Sequence, residues 1–282
     1  MKVAIVGAGI AGPTLAYWLW RYGHEPTLID KAPRLRTGGY VVDFWGGGYA
    51  VAERMGLTAE LHRTGYAVHD VRLVDRYSRK VGGFSADLFR RNVDGRFVTV
   101  PRGDLAAMIY RSIGHHVETL FGESVSAITQ DDSAVRVTLE HDRSRLFDLV
   151  IGAGGIHSPV RGLVFGPESR FETDLGYRVA AFEADGYQPR DELVYLAYSV
   201  PGRMVARFAM RGEKTLFLCV FTTDHMSGPD PRDLSEVKTT LRQVFGSAGW
   251  ECPAILDKLD GPPRSTSTAR AKSSWTAGRM GE

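Results

Sequence analysis

The sequence predicts an α/β fold that begins on a buried parallel strand and later changes to an antiparallel sheet. Lys2–Val6 is a short apolar run, as expected of a buried strand. A glycine-rich turn follows, and Pro13–Tyr22 then reads as a helix that stops at Gly23. Pro26–Asp30 is a second short strand, so the chain opens as strand, turn, helix and strand. Three later strand-like runs, separated by Pro-Gly and Arg-Gly turns, predict an antiparallel meander: Leu193–Val200, Met204–Met210 and Thr215–Phe221.

The middle of the chain contains further predicted elements. Apolar residues at helical spacing predict three helices, at Tyr49–Met55, Leu105–Ile113 and Leu234–Val244. Alternating runs predict two strand pairs, Val68–Asp75 with Lys80–Phe84 and Ser124–Thr129 with Ala134–Glu140. Leu146–Ile151 is predicted as one buried strand that leads into a glycine-rich turn.

Composition excludes several classes of function. The net charge of the 282 residues is +2 and no basic stripe is present, so no nucleic-acid partner is expected. Val3–Trp20 carries no charge and superficially resembles a signal peptide or membrane span, but the glycines and proline in its middle fit a strand–turn–helix better. We therefore expect no membrane partner. Cys219 and Cys252 match no metal-ligand or redox spacing, which predicts a cytoplasmic protein without a metal site.

The first turn carries a dinucleotide-binding fingerprint, Gly7-x-Gly9-x-x-Gly12. In such a motif the first glycine permits the tight turn, the second lets the backbone approach a pyrophosphate, and the third lets helix and strand pack closely. The second strand ends in Asp30, 18 residues after Gly12, where a carboxylate can accept both ribose hydroxyls. A glycine-rich turn without a ligand is the alternative. The fingerprint alone does not separate FAD from NAD.

Beyond this motif the chain resembles the class A flavoprotein monooxygenases, the aromatic hydroxylase family with the p-hydroxybenzoate hydroxylase fold. Its likeness is strongest to the branch of tetracycline-inactivating and polyketide-tailoring hydroxylases. Three stretches carry the resemblance: KVAIVGAGIAGPTLAYWLWRYGHEPTLID, VPRGDLAAMI and FDLVIGAGGIHSPVR. The resemblance implies FAD as cofactor, NAD(P)H as reductant, and a Rossmann-like FAD-binding domain with an inserted antiparallel-sheet substrate domain.

The resemblance also supplies cofactor-binding candidates. Arg102 matches an arginine that contacts the flavin nucleotide in the family, although a solvated arginine at a helix end is the alternative. Gly154 and Gly155 lie in the family's second motif, near the FAD pyrophosphate. Gly154 stands where an aspartate is usual, and we expect the backbone turn to survive this change because glycine is conformationally permissive.

A further segment, GGYVVDFWGGGYAVAERMGL, resembles the family's loop and helix beside the isoalloxazine ring. Asp43 matches approximately a carboxylate that touches FAD. Arg36 matches loosely an arginine implicated in binding the nicotinamide cofactor, and Lys31 beside Asp30 is another cofactor candidate.

The implied domain division is an FAD-binding domain at 1–72 and 97–174, a substrate domain at 73–96 and 175–270, and a return to the first domain at 271–282. In the family, a tryptophan and a Gly-Arg pair precede a Gly-Asp motif that binds the ribityl chain. Trp275 and Gly278-Arg279-Met280 match this lead-in, and the motif itself is absent. We expect that the C-terminal part of the FAD domain is missing, either because the chain is truncated or frameshifted or because it is part of a longer protein. A shortened functional enzyme, the other alternative, would need a second chain or a homodimer to fill the gap.

The implied reaction is hydroxylation of an aromatic or polyketide-like small molecule with O2, through a C4a-hydroperoxyflavin. No side-chain nucleophile is required, and we name no catalytic residue. The substrate is expected beside the meander, where four aromatic residues are candidate lining residues, although aromatic residues on strands are more often ordinary core: Tyr195, Tyr198, Phe208 and Phe217. Two alternatives remain, a truncated non-catalytic remnant with weak or no FAD binding, and a flavin enzyme without monooxygenation, such as a reductase or halogenase.

Overall fold

A computed structural model describes residues 1–36, 38–141, 144–231, 233–260 and the backbone of 271–274. These residues form two compact units, one from Met1–Thr37 and Gly103–Thr173 and the other from Gly38–Arg102 and Asp174–Ser273. Residues 38–72 and 97–102 belong to the second compact unit, whereas the sequence-based division predicts that they belong to the FAD-binding domain. The functional domain boundaries stay a prediction. Trp275 and Gly278-Arg279-Met280 lie outside the described residues.

The elements are numbered in chain order. The strands are β1 Lys2–Val6, β2 Glu25–Asp30, β3 Val41–Trp45, β4 Asp70–Val74, β5 Lys80–Ser85, β6 Phe97–Pro101, β7 Glu118–Phe121, β8 Val125–Gln130, β9 Val135–Leu139, β10 Ser144–Phe147, β11 Leu149–Gly152, β12 Asp174–Asp185, β13 Val194–Val200, β14 Arg203–Ala209, β15 Lys214–Thr222 and β16 Ala271–Ser274. The α-helices are α1 Ala11–Arg21, α2 Gly46–Arg54, α3 Thr58–Thr64, α4 Ala86–Asn92, α5 Arg102–Ile113, α6 Pro159–Val164, α7 Leu234–Phe245 and α8 Cys252–Asp257.

The first unit is built on a parallel sheet with strand order β11-β1-β2-β7. Its central strand β1 is apolar because both faces are covered. On one face Val3 and Ile5 pack with Leu28 and with Ala16 of α1. The opposite face packs against an antiparallel sheet of order β10-β9-β8, in a cluster of Ala4, Val6, Ile29, Val125, Val137, Leu139, Phe147 and Val160. The predicted strand–turn–helix–strand start is therefore present, with helix α1 starting two residues earlier than expected.

The predicted single strand at Leu146–Ile151 is wrong, because the chain changes sheets at Asp148. Before it, β10 pairs antiparallel with β9, and after it, β11 pairs parallel with β1. The Asp148 side chain accepts a hydrogen bond from the Lys2 N–H at 2.7 Å, and its own N–H donates to the Lys2 carbonyl at 2.9 Å. Leu146 and Phe147 before the break and Leu149–Gly152 after it are apolar or glycine, so the sequence pattern did not reveal the break.

The second unit is built on a seven-stranded sheet of order β16-β12-β15-β14-β13-β4-β5. Antiparallel pairing of β13, β14 and β15 confirms the predicted meander, and β4 with β5 confirms the predicted hairpin. One face is covered by α7 and α8, whose Leu241, Phe245 and Ile255 belong to the same core as Phe217 of the sheet. A separate antiparallel ribbon pairs β3 with β6.

A buried ionic network joins the seven-stranded sheet to the start of α8. The side chain of Arg207 is 3% exposed. Its guanidinium contacts Glu251 at 2.8 and 3.2 Å and Asp191 at 2.8 Å. Tyr187 donates a further hydrogen bond to Glu251 at 2.9 Å, and burial followed by this hydrogen bond raises the pKa of the Tyr187 hydroxyl above its usual range. The network satisfies the charges that the sheet buries.

Two sequence-based expectations concern membranes and metals. None of the described helices is both long and apolar enough to cross a membrane. Within the described ranges no cluster of histidine, cysteine, aspartate and glutamate has the arrangement of a metal site. Cys219 and Cys252 are both free and buried.

Replacing the buried cation should cost much more stability than replacing an exposed one. We expect Arg207→Met to lower the free energy of unfolding by about 3 kcal/mol, because Glu251 and Asp191 lose their buried partner. The control is Arg79→Met, since Arg79 forms a 2.6 Å ion pair with Asp75 but is 73% exposed. Exposed pairs contribute little, so this variant should unfold close to the parent in urea. Equal losses in the two variants would contradict a structural role for the network.

Candidate cofactor-binding site

The glycine-rich turn after β1 lies directly against the start of the second glycine motif. Gly7 has a φ of +122°, which favours glycine, and a Cβ at this position would lie 2.5 Å from the Ala153 carbonyl oxygen. The Gly7 N–H donates to the Ile29 carbonyl at 2.7 Å, and the Ala153 N–H donates to the Val6 carbonyl at 2.8 Å. The carboxyl ends of β1, β2 and β11 therefore meet at one edge of the parallel sheet, where ligands bind in open α/β sheets.

The other two glycines of the fingerprint differ in what surrounds them. A Cβ on Gly12 would lie 1.9 Å from the Gly7 carbonyl oxygen, so glycine is needed there for α1 to approach the turn. A Cβ on Gly9 would meet nothing within 4 Å. The described part of the chain gives no steric reason for glycine at this position, whereas close approach of a ligand to the backbone would give one.

Helix α1 begins at Ala11, directly after this turn. Ile10 precedes the helix and provides no side-chain cap, and no acidic residue occupies the first turn. The first N–H groups of a helix lack intrahelical partners and lie at the positive end of its dipole. Together with the open space at Gly9, this arrangement fits the pyrophosphate of a dinucleotide.

Asp30, at the end of β2, has a structural role that the sequence did not predict. Its Oδ2 accepts the Ala8 N–H at 2.7 Å and its Oδ1 accepts the Ala32 N–H at 2.8 Å. The carboxylate thus ties the glycine-rich turn to the following loop. Each carboxylate oxygen can accept more than one hydrogen bond, so capacity remains for ligand hydroxyls. Lys31 and Arg36 are exposed in the loop after Asp30.

The second glycine motif folds as a tight turn into α6. Gly154 has φ −76° and ψ 0°, values open to any residue, so the turn forms without the aspartate usual in the family. Gly155 has a φ of +73°. Ser158 caps α6 by accepting the Arg161 N–H at 3.2 Å, as predicted for a helix start. The Arg161 guanidinium donates to the carbonyls of Gly155 and Ile156, which holds the turn in place.

The remaining two cofactor candidates lie in the second unit, Asp43 on β3 and Arg102 directly after β6. Asp43 is the register partner of Thr99, and its Oδ1 accepts hydrogen bonds from the Thr99 hydroxyl at 2.6 Å and the Tyr195 hydroxyl at 3.2 Å. Arg102 follows the last residue of β6, begins α5, and donates its N–H to the Tyr40 carbonyl at 3.1 Å. Asp43 and Arg102 are both exposed.

The four aromatic candidates for lining a substrate site fall on opposite faces of the seven-stranded sheet. Tyr198 and Phe217 lie in the core beneath α7 and α8, and the Tyr198 hydroxyl donates to the Ala248 carbonyl at 2.6 Å. They are corrected to core residues. Tyr195 and Phe208 are register partners on the other face, with ring centroids 4.8 Å apart. Phe208 is 2% exposed and only Tyr195 is half-buried, so Tyr195 is the one aromatic candidate left near an open surface.

Sequence reasoning missed Thr99, whose side chain is fully buried and bonded to Asp43. The only signal was a threonine inside the otherwise apolar run Phe97–Pro101. It also missed β3 itself, because Asp43 interrupts the apolar pattern of that strand.

The chain matches a known protein family, known relatives and solved structures. The FAD binding domain family matches residues 1–279. A flavin-dependent monooxygenase from an unknown prokaryotic organism is 31% identical over 286 residues, which cover 99% of this chain and 72% of that protein. Among solved structures, tetracycline destructase Tet(55) is 27% identical with a TM-score of 0.78, covering 92% of this chain and 65% of that one.

The Klebsiella pneumoniae protein HpxO, solved with FAD and uric acid, matches with a TM-score of 0.77 over 97% of this chain and 68% of that one. At 20% identity this likeness shows the fold alone. The chain therefore spans between 65% and 72% of the length of these relatives. With the family match over almost its whole length, the chain belongs to the FAD binding domain family of flavin-dependent, class A monooxygenases.

Proposed function

We propose that this chain binds FAD and, with NAD(P)H and O2, hydroxylates an aromatic or polyketide-like small molecule. The observation that carries the proposal is the turn at Gly7–Gly12, which combines an uncapped helix N-terminus with open space at Gly9. Family membership supports FAD as the dinucleotide. A cytoplasmic location and a homodimer belong to the same proposal.

Each cofactor candidate has a role in this proposal. The turn and α1 bind the pyrophosphate, and Asp30 accepts the ribose hydroxyls. The other proposed contacts with the cofactors come from Lys31, Arg36, Asp43, Arg102, Gly154 and Gly155. No side chain acts as a nucleophile. When bound, FAD would accept hydride from NAD(P)H and activate dioxygen. The protein would position the cofactor and the substrate and exclude water.

The reaction balances without another co-reactant. NAD(P)H supplies a hydride with its two electrons and solvent supplies a proton, while one oxygen atom of O2 enters a C–H bond of the substrate and the other leaves as water. A substrate surface is available on the seven-stranded sheet, on the face that carries Tyr195. Part of that face is lined by half-buried aliphatic side chains that suit a flat apolar ring: Val179, Met204, Ala206, Leu218 and Val220. Tet(55) is a tetracycline destructase, and tetracycline is a small molecule built of fused rings.

The direct test is the visible spectrum of the purified protein. We expect a yellow protein with the absorption bands of oxidised flavin, or a colourless one that acquires them when FAD is added. Consumption of NADPH or NADH in the presence of aromatic and polyketide substrates, with mass spectrometry for a product heavier by one oxygen atom, then tests hydroxylation. A colourless protein that takes up no FAD would overturn the proposal and favour a non-catalytic remnant.

Two alanine variants separate ligand binding from folding at the glycine-rich turn. Gly9→Ala should fold normally, because its Cβ meets nothing within 4 Å, yet bind FAD about tenfold more weakly since the methyl group obstructs the ligand. Gly12→Ala should instead lower the melting temperature, because its Cβ would lie 1.9 Å from the Gly7 carbonyl oxygen. Thermal denaturation and FAD titration of both variants provide the comparison. Unchanged FAD affinity in Gly9→Ala would show that this turn does not contact the cofactor.

A further inference from the structure

Side chains from three strands of the second unit meet at one carboxylate oxygen. Asp43 lies on β3, Thr99 on β6 and Tyr195 on β13. The Thr99 hydroxyl is 2.6 Å and the Tyr195 hydroxyl 3.2 Å from the same Oδ1 of Asp43. The three residues are far apart in sequence, so only the fold brings them together.

The chemistry of the two hydroxyl groups makes them donors toward Asp43. A carboxylate oxygen accepts hydrogen bonds, so each hydroxyl group donates a hydrogen bond to the shared Oδ1. Burial and the nearby Asp43 charge raise the pKa of the Tyr195 hydroxyl above its usual range, so it keeps its proton at neutral pH. Hydrogen bonds to a charged acceptor are stronger than those between neutral groups.

Further hydrogen bonds and ring packing hold the two donors in place. The backbone of Thr99 exchanges two hydrogen bonds with Tyr66, at 2.7 and 3.2 Å. Arg211 donates from its guanidinium to the carbonyls of Thr64 and Gly65, each at 2.6 Å, and its N–H donates to the Tyr66 hydroxyl at 3.1 Å. The ring of Tyr195 packs against Phe208, which is buried. Neither hydroxyl group is therefore on a free surface loop.

The two donors leave the other oxygen of this exposed carboxylate available. Both hydrogen bonds end on Oδ1, and among the described residues none ends on Oδ2. We propose that Thr99 and Tyr195 are positioning residues that orient Asp43 so that Oδ2 accepts a hydrogen bond from a hydroxyl or N–H group of the flavin nucleotide. This inference rests on the proposed binding of FAD, and it adds two residues that do not touch the cofactor themselves.

The experiment measures FAD affinity of the apoprotein by titration, using flavin fluorescence, in single and double variants. Asp43→Ala should weaken FAD binding about tenfold, and Tyr195→Phe and Thr99→Val at least about threefold each. Thr99→Ser, which restores the hydroxyl group, should bind like the parent. In the Asp43→Ala background, Tyr195→Phe should have no further effect, because its only route to the cofactor is lost. Tyr77→Phe is the matched control, since Tyr77 is 69% exposed in the β4–β5 hairpin and should leave affinity unchanged.

The outcomes separate this inference from the proposed function. If the parent binds FAD but Asp43→Ala binds equally well, the inference fails while FAD binding stands. An equal loss from Tyr195→Phe with and without Asp43 would show that Tyr195 acts by another route and would also overturn it. A loss in Thr99→Ser as large as that in Thr99→Val would assign Thr99 a packing role instead. A parent protein that does not bind FAD overturns the proposed function itself. Circular dichroism of each variant checks that the fold is retained, and any variant that loses it is replaced by Asp43→Asn or Tyr195→Met.

Discussion

The close approach of Gly7 to Ala153 is the constraint on which the first unit depends. A single added carbon at Gly7 would lie 2.5 Å from the Ala153 carbonyl oxygen, and one at Gly12 would lie 1.9 Å from the Gly7 carbonyl oxygen. The backbones of β1, β11 and α1 therefore approach one another closely at this turn. Because the strands are parallel, that point is also where their carboxyl ends meet and where Asp30 holds the turn through the Ala8 N–H. The same close contacts therefore pack the sheet and shape the turn that is proposed to bind the phosphates of the cofactor.

The two faces of the sheet in the second unit differ, since helices cover one and the other carries Tyr195, which is proposed to position a ligand-binding residue. Beneath α7 and α8, the aromatic side chains are fully packed and the charges of Arg207 and Glu251 neutralise each other. On the opposite face, Tyr195 is half-buried and directs its hydroxyl group to Asp43 on the separate β3–β6 ribbon. The Asp43 carboxylate is thus held in a defined position while it stays exposed, which is what the proposed binding of a polar ligand group requires.

The contrast between Tyr195 and Tyr198 shows what strand alternation can predict from the sequence and what it cannot. Side chains alternate across a strand with a period of two, so residues three apart must face opposite sides. The alternation could have assigned the two tyrosines to different faces, but it could not tell which face would be covered by helices. The strand break at Asp148 was hidden for a similar reason, since apolar residues on both sides obey the same pattern although they pair in different sheets.

The sequence by itself determined the glycine-rich turn, its flanking strands and helix, the antiparallel meander and the family, because these depend on neighbouring residues and local spacing. It named Asp43 as a cofactor candidate only through resemblance. The tertiary structure alone decided what holds that carboxylate, because Thr99 lies 56 residues and Tyr195 152 residues from Asp43 in the chain. Hydrogen bonds across such separations depend on strand order and register, which no local pattern encodes.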